Sequence, residues 1–143
     1  MNLQTLIERT AEEVGKIPYL TGAPVITEEK GDTSNELAVK LAKTKFAVIV
    51  GWNGFTSDAN SSRVIYGTPK VVVSVYEMPV VNRRNAGAPT LLNAAQEIAK
   101  ALNLFSADGG NAPLVFRRIS PVQELGDGKT IACDVEFDTK STL

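Results

Sequence analysis

Residues 130–138 read Thr130-Ile-Ala-Cys-Asp-Val-Glu-Phe-Asp138. Ile131, Cys133, Val135 and Phe137 alternate strictly with Thr130, Ala132, Asp134 and Glu136. That period of two sends one set of side chains to each face of a strand. One face is core, and the other is wet or in contact with a partner. Asp127-Gly128, just upstream, is a hairpin turn signal, and Leu114 to Ser120, stopped by Pro121, reads as a further strand. The end of the chain is therefore expected to form an antiparallel hairpin over 114–137, followed by a loose tail from Thr139 to Leu143.

Working back from this hairpin, Leu91, Ala94, Ala95, Ile98 and Leu102 trace a helical stripe over 91–103, with Thr90 placed as N-cap. Its alanines allow a close approach to a sheet. Lys70 to Glu77 is β-rich, and Gly67-Thr-Pro69 before it reads either as a bulge in one long strand or as a turn between two. Phe46 to Val50 is a continuous β-branched run, the pattern of a strand covered on both faces. Residues 52–62 are small, polar and turn-prone, and are expected as a loop. Thr33 and Glu36 have capping-box spacing ahead of a short helix over 34–43. Leu3, Leu6, Ile7, Thr10 and Val14 form one stripe of an amphipathic helix over 2–14 that Gly15 ends, and Val25-Ile26 reads as a short strand. The expected fold is a single α+β domain, with a mixed, mainly antiparallel sheet and helices packed on one face.

Composition narrows the chemistry. The 143 residues suit one compact domain, with 43% hydrophobic and 22% charged residues and a net charge of −1. No global basic field supports non-specific nucleic-acid binding. Histidine is absent and Cys133 is the only cysteine. An intrachain disulfide, most zinc sites, a Ser-His-Asp triad and Cys-His catalysis are thereby removed. The N-terminus carries acidic residues where a secretory signal has basic ones, and no stretch is long and apolar enough for a membrane span, so a cytoplasmic protein is expected.

Asp134, Glu136 and Asp138 share one strand face and could hold Mg²⁺ for a hydrolase. The solvated face of a hairpin explains them more simply, because alternation alone produces it. Arg117 and Arg118 sit in a strand and are expected on opposite faces, with an ion pair to the acidic hairpin preferred over a ligand site. Arg83 and Arg84 lie in a proline-bounded loop, 79–89, and Trp52 and Phe55 are aromatics in the other loop. These four are the candidate interface residues, since aromatics and arginines anchor contacts. Tyr19, Tyr66 and Tyr76 show no obvious partner, and Cys133 reads as a core residue. No catalytic residue, metal or cofactor is expected.

The order and character of the segments FAVIV, KVVVSVYE, TLLNAAQEIAKALN and PLVFRRISPVQELGDGKTIACDVEFDTK resemble the tail terminator and minor tail protein families of bacteriophages and related contractile particles. The resemblance implies a non-enzymatic structural subunit of a virion tail, assembled in the bacterial cytoplasm. It further implies self-association into a ring, a hexamer in that group, that caps the tail tube and meets head-completion proteins. It implies no membrane and no specific nucleic acid as partner. The alternative is a small-molecule or nucleic-acid binding module, which predicts a concave apolar pocket or a basic stripe containing Arg63, Arg83, Arg84, Arg117 and Arg118.

Overall fold

The computed structural model describes residues 2–28, 33–58, 63–79, 89–107 and 112–142. Helix α1 spans Leu3–Gly15 and is capped by Asn2, whose Oδ1 accepts the Thr5 N–H at 2.7 Å. It buries Leu6, Ile7, Thr10 and Val14, the stripe expected from their spacing. A 3₁₀ turn (Pro18–Leu20) leads to the short strand β1 (Val25–Thr27). Helix α2 (Thr33–Thr44) follows, and Lys45, at φ 64°, turns the chain into β2 (Phe46–Ser57). Next come β3 (Tyr66–Glu77), α3 (Leu91–Leu102), β4 (Val115–Ile119), β5 (Gln123–Glu124), β6 (Ile131–Asp138) and β7 (Ser141–Thr142).

The strands form one sheet in the order β1-β2-β3-β6-β4, with β5 added to β6 and β7 to β3. Only β1 and β2 run parallel, so the sheet is mixed and mainly antiparallel, as expected. Val48, Val50, Val71, Val73, Val75, Cys133, Val135 and Phe137 point to one face and meet α1 and α3 there. Ala94 and Ala95 are fully buried, so the small side chains of α3 bring it close to the strands.

The expectation of helices on one face holds for α1 and α3 but not for α2. Helix α2 packs on β1 and β2, where Ile26, Leu41, Ala47 and Ile49 are buried outside the main core. This second layer is why 46–50 is apolar at every position: both faces of that strand are covered.

Two further corrections concern the middle and the end of the chain. Residues 52–57 are strand, not loop. Strand β2 pairs with β3 from Phe46–Glu77 to Trp52–Val71, shifts register, and resumes from Phe55–Pro69 to Ser57–Gly67. Gly54, at φ 93°, supplies the backbone turn inside that shift. Gly67-Thr68-Pro69 thus lies within one long strand. The tail, for its part, is held as far as Thr142. Thr139 is buried and donates its Oγ1 hydrogen to the Ala112 carbonyl at 3.0 Å, and β7 pairs with Tyr66 and Gly67. Lys140 Nζ reaches Thr68 Oγ1 at 2.8 Å and Asp58 Oδ1 at 3.4 Å.

Gly67 is the tightest point of this outer hairpin. A Cβ there would fall on the Thr56 carbonyl oxygen and the Phe55 ring. Gly67→Val is therefore expected to open the outer hairpin at a cost of roughly 1–3 kcal/mol, the usual range for overpacking. Hydrogen exchange should quicken at amides 55–57, 66–68 and 141–142 while 71–77 stay protected. Unchanged protection at 55–57 would contradict this.

The start of α3 is held in a way not anticipated from sequence. Thr90 has N-cap backbone geometry, but its side chain makes no capping bond. Glu77, fully buried at the end of β3, accepts the Leu91 N–H on Oε1 at 3.1 Å. The Tyr19 hydroxyl accepts the Thr90 N–H at 3.2 Å, which gives that tyrosine a partner. A carboxylate at a helix N-terminus also meets the positive end of the helix dipole.

Candidate functional site

Opposite the main core, α2 packs on the β1–β2 end of the sheet. Val72, Ser74 and Tyr76 of β3 and Asp134 and Glu136 of β6 lie on the remaining open half, all partly exposed. Between them and Leu37 of α2 runs a groove of about 480 Å³, lined also by Glu28, Trp52 and Asn53. The antiparallel register of β3 and β6 sets Ser74 opposite Asp134 and Val72 opposite Glu136, so the groove floor follows directly from strand pairing.

Its chemistry is acidic and hydrogen-bonding. Ser74 Oγ donates to Asp134 Oδ1 at 2.6 Å. The Glu28 side chain lies across Gly51, where a Cβ would collide with it, and its Oε2 accepts the Trp52 N–H at 3.3 Å. Glycine at 51 is thus the condition for that close approach. Burial pushes the Tyr76 phenol above its usual range; negative charge on Asp134 and Glu28 adds to this, and its hydrogen bond with Ser74 opposes it.

The arginine pair makes the expected ion pairs with the acidic hairpin, but from one face of β4 and not from opposite faces. A bulge between Phe116 and Arg118 breaks the alternation of β4. Both guanidinium groups consequently reach the acidic face: Arg117 Nε meets Asp138 Oδ2 at 2.8 Å, and Arg118 Nε meets Glu136 Oε2 at 3.0 Å. Both arginine side chains are more than half exposed, so each pair contributes at most about 1 kcal/mol. The three carboxylates singled out by spacing are spread over three partners, a serine and two arginines. Among the described residues no acidic cluster has the geometry to hold a metal ion. Asp134 has no cation beside it within the described residues.

Trp52 is 45% exposed at the groove end, whereas the Phe55 ring lies against Gly67 and is half-buried. Arg83 and Arg84 lie outside the described residues. Of the remaining arginines proposed for a basic stripe, Arg117 and Arg118 are tied to acids, and Arg63 stands exposed on the outer hairpin. Cys133 is buried on the core face, and burial together with the nearby charge of Asp134 pushes its thiol up to about 11. At the β5–β6 turn, Asp127 accepts N–H bonds from Lys129 and Thr130 and the Thr130 hydroxyl, which lowers its pKa. This turn forms where Asp127-Gly128 indicated, with Gly128 at φ 68°.

Sequence reading had named Trp52, Asp134 and Glu136 as candidates and Tyr76 as a tyrosine without an obvious partner; it gave Ser74 no role and did not name Glu28. The period-two pattern of KVVVSVYE sets Val72, Ser74 and Tyr76 on the face opposite Val71, Val73 and Val75, as the burial of β3 shows. Glu28 carries no local signal. The chain matches no protein-family model, and comparison with curated proteins finds no match either.

Proposed function

We propose that this chain is a structural subunit of a phage-type tail, the terminator that caps the tail tube and joins it to the head-proximal complex. It acts through its surfaces and without catalysis. The observation that carries this reading is the outer half of the β2–β3 hairpin. Beyond the register shift, β7 is the one strand that flanks it among the described residues. Val64, Ile65 and Tyr66 there are 43–47% exposed, as is Trp52 at its base. Contiguous exposed apolar side chains on a polar module mark a contact surface. The acidic sheet face beside it offers hydrogen-bond acceptors to a partner's donors.

Particles assembled without this chain are expected to carry tubes of uncontrolled length, unattached to heads, when viewed by electron microscopy. Tails of normal length joined to heads would remove the terminator reading.

A further inference from the structure

We propose that the acidic groove on the open sheet face receives the exposed segment Arg63–Tyr66 of a second copy of this chain, a contact that rests on the ring-forming reading above. The first support is complementary charge. The groove holds Asp134, with no cation beside it among the described residues, together with Glu28, which accepts the Trp52 N–H, and Glu136, which is paired with Arg118. Arg63 is exposed and carries no ion-pair partner among the described residues. The second support is apolar surface on both sides. Val64, Ile65 and Tyr66, which follow Arg63, are each 43–47% exposed, and Trp52, Leu37 and Val72 line the groove.

The occupant must come from another molecule. Tyr66 and Val72 lie six residues apart on one continuous strand. At the rise of an extended chain that separation is about 20 Å, so a hairpin cannot bend its own tip back into its own groove. Donor segment and acceptor groove are also different patches of the same subunit. A contact of that kind is heterologous and propagates head to tail, closing into a ring when the rotation per subunit allows. Arginine suits this role because its planar guanidinium can bond a carboxylate and stack on Trp52 or Tyr76.

Charge exchange tests the pairing. Wild-type protein is expected to assemble at micromolar concentration by light scattering. Arg63→Glu and Asp134→Lys should each weaken assembly at least tenfold, while the double variant, or a mixture of the two single variants, regains it. Single variants that assemble like wild type would overturn the proposal, as would a correctly folded double variant that stays dissociated. Should Asp134→Lys melt early because Ser74 loses its acceptor, Arg63→Glu and Ile65→Asp, both at exposed positions, decide the matter: wild-type assembly in both overturns it. A wild-type chain that remains monomeric also overturns it, and the tail-length experiment then judges the functional reading separately.

Discussion

Replacing Glu77 with alanine is expected to lower stability by roughly 3 kcal/mol, combining a lost charge-assisted hydrogen bond with the cavity left behind. For a chain of this size that corresponds to a fall in Tm of about 10 °C. The carboxylate is fully buried and accepts the first helical N–H of α3, while the Thr90 side chain provides no substitute. Truncation leaves the Leu91 N–H without its acceptor, and an unpaired buried donor costs more than a hydrogen bond contributes when made. Glu77→Gln keeps an acceptor oxygen and the volume but loses the charge facing the helix dipole, and should cost only about 1 kcal/mol. Thermal melts of both variants check the ordering. Equal losses would mean that shape alone matters at this position.

The second large effect is expected at Phe137. Its side chain is fully buried on the core face of β6, and its ring meets Phe116 edge-on with centroids 6.0 Å apart. Phe137→Ala removes that contact and leaves a void that α3 and β4 can fill only in part. The expected cost is about 3–5 kcal/mol. Phe116→Ala, at a position 36% exposed, should cost much less. Denaturant midpoints with unchanged slopes are the readout. A loss below about 1 kcal/mol would show that the core collapses around the deletion.

These two positions mark what the sequence could and could not convey. Phe137 was legible because a period of two over eight residues has one natural explanation, a half-buried strand. Glu77 was read as the end of a strand, since the helix it caps begins fourteen residues later and the two meet only through tertiary packing. The outer part of β2 was illegible for a different reason. Residues 55–57 have no core beneath them, so their backbone ladder left no apolar rhythm. The side of the sheet taken by α2 was implied by FAVIV, apolar at every position, although that implication was not joined to a particular helix. In the groove, Asp134 and Glu136 stood out by spacing, but the bulge that turns Arg117 to the same face has no distinctive residue in the sequence.

That bulge bears on how the molecule behaves when crowded. Strand β4 is the last strand of the sheet and has no neighbour beyond it among the described residues. A flat, apolar strand in that position would be a template for runaway addition of further chains, ending in fibres. Here the strand is only five residues long, kinked at Phe116–Arg118, and carries two adjacent arginines. An incoming strand would meet an interrupted ladder and two positive charges already committed to carboxylates. The same irregularity that gathers both arginines on the acidic face thus guards the molecule against aggregation along its exposed edge.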